Sequence, residues 1–206
     1  MANNDTPQIY LITPEQFSFD TFPNVLSRVL DVMDVACLRL DLASKDEKVV
    51  ARSADLVREI AHARDIPLVI DTHVQLVESL GLDGVHLPDG GHGLRKLRET
   101  MGPDPILGAG CGVSRHVGLS AGEAGADYVS FGPLTASAIG AADVAEDAVF
   151  AWWSEMIEVP IVAEGGLTED IIARLSPITD FFAIGPEIWK TDDPVQALTA
   201  LTSVLR

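Results

Sequence analysis

Short apolar runs alternate along the whole chain with longer stretches in which apolar residues recur every three or four positions. Eight of the short runs predict strands: Ile9–Thr13, Ala36–Asp41, Pro67–Asp71, Gly84–Leu87, Pro105–Ala109, Tyr128–Gly132, Pro160–Ala163 and Phe181–Ile184. They are continuous rather than alternating, as suits parallel strands covered on both faces. The stretches between them read as helices. From Asp46 to Ala63, Val49, Val50, Leu56, Val57 and Ile60 form one apolar stripe. A short helix around Ser114 and Ser120 ends before Gly125. Another is predicted from Asp143 to Met156, where Val144, Ala148, Trp152 and Met156 keep helical spacing, with Trp152 and Trp153 as packing residues. Thr168–Leu175 separates the last two strands, and Asp193-Pro194 starts a final helix reaching Leu205. Eight strand–helix units predict an α/β protein, a single compact (β/α)8 TIM barrel, rather than an open doubly wound sheet.

The ends of the last two strands carry the first chemical signal. Pro160–Ala163 runs into Glu164-Gly165-Gly166, and Phe181–Ile184 runs into Gly185-Pro186. Glycine lets backbone N–H groups approach an anion, and a helix starting just beyond adds its positive end. Paired loops after the last two strands of such a barrel are a recurring phosphate site. Gly165, Gly166 and Gly185 are therefore the expected phosphate-binding residues. A competing signal, Gly108-Ala109-Gly110-Cys111-Gly112, also follows a strand. Its spacing is not G-x-G-x-x-G, it comes fifth rather than first, and no acid ends the next strand, which argues against a dinucleotide site.

Composition narrows the picture. With 206 residues the chain predicts one domain over residues 1–206, and 47% apolar residues are ample for a core. No apolar run approaches the ~20 residues of a membrane span. Met1-Ala2-Asn3-Asn4-Asp5 has neither a basic region nor an apolar signal core, so the expected location is cytoplasmic. The net charge of −17 argues against nucleic acid and would repel an anionic substrate, so local donors or a metal must hold any phosphate. The two cysteines, Cys37 and Cys111, read as small buried hydrophobes rather than a disulfide or a catalytic thiol.

An ordered set of segments carries a resemblance: Ile9-Tyr10-Leu11-Ile12-Thr13-Pro14, Cys37-Leu38-Arg39, Asp83-Gly84-Val85-His86-Leu87, Gly125-Ala126-Asp127-Tyr128-Val129 with Phe131-Gly132-Pro133, and Ala163-Glu164-Gly165-Gly166-Leu167. From about Ile9 to Ile188 the chain resembles the thiamine phosphate synthase and thiazole tautomerase family. The resemblance implies a barrel of about this length. It also implies a reaction in which an aminopyrimidine diphosphate loses diphosphate and a thiazole phosphate traps the pyrimidine cation, with Mg²⁺ and cationic groups on the departing diphosphate. Arg39 fits the family's diphosphate-contacting arginine, Asp71 its first magnesium aspartate, and Gly165, Gly166 and Gly185 its thiazole-phosphate loops. Other positions depart. Gln-x-Arg-x-Lys reads Cys37-Leu38-Arg39-Leu40-Asp41, and Asn-Asp reads Ile70-Asp71. The second magnesium aspartate falls at Gly91, with Asp89 two residues early. The lysine of Thr-x-Thr-Lys is missing from Ser137-Ala138-Ile139-Gly140. Diphosphate binding is therefore expected to be weakened, while the monophosphate glycines are kept.

Arg39, Asp41, Asp71, His73, His86, Asp89, Glu164 and Glu187 lie at strand ends, where barrel active sites form. Asp71 and Asp89 either share Mg²⁺ through oxygens and waters, or Asp71 caps the following helix. Arg39 either binds an anion or pairs internally with Asp41, which strand alternation puts on the same side. His86 is either a hydrogen-bonded core histidine or an acid–base group. Glu164 is either a general base beside a bound phosphate compound or a charge that weakens phosphate binding. Arg39, His86 and Glu164 are the catalytic candidates. The leading expectation is a thiamine phosphate synthase-like transferase, or a thiazole tautomerase-like enzyme, acting on a phosphorylated small molecule. The alternatives are a non-catalytic binder or regulator in thiamine metabolism and a phosphosugar-type isomerase or lyase on the same barrel. No nucleic-acid or membrane partner is expected, and a homodimer stays open.

Overall fold

In the computed structural model, which describes residues 6–136 and 143–205, the eight apolar runs are eight parallel strands. They are β1 (Gln8–Ile12), β2 (Val35–Leu40), β3 (Leu68–Asp71), β4 (Gly84–Leu87), β5 (Ile106–Gly110), β6 (Tyr128–Phe131), β7 (Ile161–Glu164) and β8 (Phe181–Ile184). Each pairs with the next, and β8 returns to pair with β1, closing the barrel. The helices are α1 (Phe22–Val32), α2 (Glu47–His62), α3 (Val74–Leu80), α4 (Leu94–Met101), α5 (Arg115–Glu123), α6 (Asp147–Met156), α7 (Glu169–Leu175), α8 (Pro186–Trp189) and α9 (Pro194–Leu201). Among the described residues no helix is long and apolar enough to cross a membrane.

Local signals set the helix starts. The carboxylate of Asp46 accepts from the Lys48 N–H (2.9 Å), the Ser114 hydroxyl from Val117 (3.3 Å), and Asp193 from Val195 (3.1 Å). Two predicted boundaries move. Helix α6 begins at Asp147 rather than Asp143, because buried Ala145 donates its N–H to the Pro133 carbonyl (2.8 Å) and ties residues 143–146 to the loop after β6. Helix α9 stops at Leu201, and its last turn tightens into a 3₁₀ turn over Ser203–Leu205.

Strand alternation divides the core in two. Outward residues such as Leu38, Leu40, Leu68, Phe131 and Phe182 pack against the helices. Inward residues Tyr10, Cys37, Val69, Tyr128, Val162 and Ala183 fill the barrel. The glycine-rich stretch serves this interior. A Cβ on Gly108 would overlap the Tyr128 ring, and one on Gly110 would lie 3.2 Å from His86 Nε2. Both cysteines are buried and free, and burial pushes each thiol up to about 12, so neither supplies a thiolate near neutral pH.

Candidate active site

The open C-terminal end of the barrel holds a cavity of about 420 Å³. Its lining includes Arg39, Asp41, Glu164, Gly165, Glu187 and Lys190. Arg39 comes up from β2, inward by alternation, and is only 7% exposed. Its Nη1 donates to Glu164 Oε2 at 3.0 Å, across the barrel from β7. Its Nε lies 3.4 Å from Asp71 Oδ1 at the end of β3, but the alignment is poor, so both atoms are buried without a hydrogen bond. The guanidinium also sits 5.9 Å above the Tyr10 ring. Burial works against the charge of Arg39, but Glu164, Tyr10 and Asp71 outweigh it and hold its pKa up. The internal ion pair is therefore with Glu164 and Asp71, not Asp41. Asp41 lies one residue beyond β2, where its N–H donates to the Thr13 hydroxyl (3.2 Å), and burial raises its pKa.

Asp71 does not cap α3. The chain turns at Thr72 with φ 59°, and the Asp71 carbonyl, not its carboxylate, accepts the His73 N–H at 2.7 Å. The N-cap position belongs to His73, which makes no side-chain cap bond. The Asp71 carboxylate is left facing Arg39. Burial pushes its pKa up to about 7, with Arg39 opposing the shift and Asp41 and Glu164 adding to it.

Asp89 is exposed on the loop after β4, where its Oδ1 accepts from the His92 N–H at 3.3 Å. Asp71 and Asp89 thus belong to different settings, and among the described residues no group of three metal-ligating side chains gathers. Asp71 Oδ1, buried beside Arg39 without a hydrogen bond, is the carboxylate oxygen that could hold Mg²⁺. Ser137-Ala138-Ile139-Gly140 lie outside the described residues.

His86 is 1% exposed inside the barrel, below the cavity. Its Nδ1 is hydrogen-bonded to the Tyr128 hydroxyl (2.9 Å), which is bonded in turn to the Tyr10 hydroxyl (2.7 Å). Burial, reinforced by Arg39, lowers the His86 pKa well below its ordinary value, so the ring is neutral near pH 7. Burial raises both tyrosines. The interior is therefore an uncharged polar chain beneath a charged mouth.

The last two loops converge through the amides of Gly166 and Gly185, with Leu167 rather than Gly165 as the third donor, and a side chain already sits between them. Gly165 and Gly166 have φ of 85° and 80°, a left-handed pair that turns their loop inward. Glu187 Oε1 accepts from the N–H groups of Gly166 (2.9 Å) and Leu167 (3.1 Å), and its Oε2 accepts from Gly185 (2.9 Å). The amides thus meet on one anion, and that anion is the protein's own. Sequence reasoning placed Glu187 at the barrel mouth but missed this contact. The available signal was its position two residues past Gly185, within reach of that residue's own amide. The Tyr10–Tyr128–His86 chain was missed as well, though Tyr128 and His86 both lie on inward strand positions.

A family model described as thiamine monophosphate synthase matches residues 9–183. The chain is 34% identical over 202 residues to a thiamine-phosphate synthase of Rhodospirillum centenum, covering 97% of this chain and 98% of that protein. It is 34% identical over 200 residues to a thiamine-phosphate synthase of Erythrobacter litoralis, covering 94% and 93%. A solved thiamine phosphate pyrophosphorylase from Pyrococcus furiosus superposes with a TM-score of 0.82 at 20% identity, covering 96% and 95%. A 3-hexulose-6-phosphate synthase superposes at 0.69 and 14% identity, a likeness of fold alone.

Proposed function

This chain belongs to the thiamine monophosphate synthase family, and from that premise we propose that it joins an aminopyrimidine diphosphate to a thiazole phosphate. It is a thiamine phosphate synthase-like transferase of thiamine biosynthesis. The observation that carries the substrate assignment is a buried arginine lining the same cavity as Glu187, whose carboxylate covers a cluster of three converging amides. Arg39 takes the diphosphate: its Nε faces Asp71 Oδ1 at 3.4 Å without a hydrogen bond, and a charge-assisted bond from this guanidinium compensates the charge that grows on the leaving group. The amides of Gly166, Leu167 and Gly185 take the thiazole phosphate. Glu164 holds Arg39 in place by its 3.0 Å hydrogen bond and offsets the cost of burying the guanidinium charge.

Asp71 would be the side chain that holds Mg²⁺, and the ion would supply charge neutralisation for the departing diphosphate. Asp89 contributes only if its loop moves inward from its bond to His92.

A second reading has its own observation. Both anion-binding elements are occupied by the protein's carboxylates, Glu164 and Asp71 on Arg39 and Glu187 on the amides. Occupation of Arg39, with Asp41 where the resemblance implies a lysine, weakens the hold on diphosphate in particular and suits a non-catalytic binder of the monophosphate. Incubation with Mg²⁺ and both substrates decides between them. The expected result is thiamine phosphate and free diphosphate, with Arg39→Met lowering kcat/KM by about 100-fold or more. Thiazole phosphate binding without any product overturns the synthase reading in favour of the binder.

A further inference from the structure

The three amides assigned to the thiazole phosphate are all engaged by Glu187. Each of its carboxylate oxygens accepts from the loop after β7 or the loop after β8, at 2.9–3.1 Å. The side chain thus straps the two loops together. A phosphate oxygen cannot take the same donors while the carboxylate remains, since both need the same three N–H groups and both are negative. The rest of the cavity sharpens the conflict. Its lining carries Glu15, Asp41, Glu164 and Glu187 against Arg39 and Lys190, and Arg39 is already paired.

We propose that Glu187 is a specificity-determining residue whose carboxylate acts as a built-in competitor for the ligand's monophosphate. In the resting protein it fills the nest, keeps the buried amides satisfied and holds the loops in shape. A monophosphate binds by displacing it, with one anion exchanged for another on the same donors. The incoming group brings more oxygens and more charge, so the exchange runs forward, but only above a raised concentration. The apparent dissociation constant is the intrinsic one divided by the fraction of molecules whose nest is open. A carboxylate held by three hydrogen bonds keeps that fraction at a few per cent, which weakens phosphate binding by about ten- to a hundred-fold. Selection follows from the same exchange: ligands with a single carboxylate tail gain nothing over Glu187, whereas a phosphate does.

The inference rests on the reading of the nest as the thiazole-phosphate site, and its test is a binding measurement that needs no turnover. Isothermal titration of the full chain with inorganic phosphate, and separately with thiazole phosphate, is compared for the wild type, Glu187→Ala and Glu187→Gln. The expected result is binding tighter by about ten-fold or more in Glu187→Ala for both ligands, with Glu187→Gln intermediate. Unchanged or weaker binding in both variants, each melting cooperatively like the wild type, overturns the proposal. The wild type supplies a check independent of either variant's folding. Its Gly166, Leu167 and Gly185 amides are expected to be protected from hydrogen exchange without phosphate, and rapid exchange there also overturns it. Condensation without tighter phosphate binding would sink this inference alone; tighter binding in a protein that makes no product would leave it standing.

Discussion

His86 carries a proton in an unfolded chain at pH 5 but not in the barrel, where burial and Arg39 hold its pKa well below 6.5. The unfolded state therefore binds more protons below about pH 6.5, and stability falls as acid is added until the folded pKa is reached. Asp71 pulls the other way: with its pKa raised to about 7 from 3.8, it lets stability fall as pH rises between those values. The two opposed slopes overlap, so the wild-type curve alone hides both. Comparison with His86→Gln isolates one of them. The variant is expected to be less stable than the wild type at pH 7.5, because the Tyr128 hydroxyl loses its fitted partner. That deficit should shrink by up to about 2 kcal/mol by pH 5, since only the wild type has a histidine to protonate. Urea unfolding at the two pH values checks it. A deficit that stays constant would mean that His86 is not held neutral. For function, a neutral His86 leaves Arg39 as the buried cation of the cavity lining, beside an uncharged polar interior.

Three aspartates at the closed end of the barrel repeat one device. Asp83, Asp127 and Asp180 stand just before β4, β6 and β8. Each donates its N–H to the preceding strand, to the carbonyls of Leu68 (2.9 Å), Leu107 (2.8 Å) and Ile161 (3.2 Å). Each carboxylate accepts the N–H of that same residue, at 2.7, 2.7 and 2.8 Å. The reciprocal bonds set where neighbouring strands begin relative to each other, and so the height at which inward residues such as His86 and Tyr128 meet. Asp127→Ala leaves the Leu107 amide without its acceptor inside the wall, an expected cost of about 1–3 kcal/mol in urea unfolding, with phosphate affinity unchanged. A loss under about 0.5 kcal/mol would show that water replaces the carboxylate. At this scale the sequence was most legible, because apolar runs bounded by Gly, Pro and Asp encode strands locally. It was least legible where partners come from across the barrel. Alternation says that Arg39 points inward, but the carboxylate that meets it lies 125 residues away, brought close only by closure. Asp71 reads as a cap in one dimension, and only the turn at Thr72 shows why its carboxylate is free to face Arg39.

The molecule as a whole sets a field that its site must work against. A net charge of −17 on 206 residues surrounds the mouth to which phosphate and diphosphate are assigned under the proposed function. The glycine pattern at the last two strands points to a place where two loops meet, and charge counting says that local donors must hold any phosphate there. Neither foretold that a carboxylate would be there first, since nothing in a local pattern shows three amides from two loops meeting on one side chain. Long-range repulsion and the Glu187 contact act at different distances, which makes them separable. The contact is short and nearly insensitive to salt, whereas the field reaches as far as the Debye length, about 30 Å at 0.01 M and about 8 Å at 0.15 M. Raising ionic strength over that range should therefore speed the association of thiazole phosphate by about two- to five-fold, the reverse of the slowing seen when a basic protein captures an anion. Stopped-flow binding in a salt whose anion does not itself bind phosphate sites measures it, and Glu187→Gln should keep the same salt slope while its affinity changes. A rate that falls with salt would mean that Arg39 and Lys190, not the acidic surface, govern the approach, and that the net charge is screened from the mouth by the barrel itself.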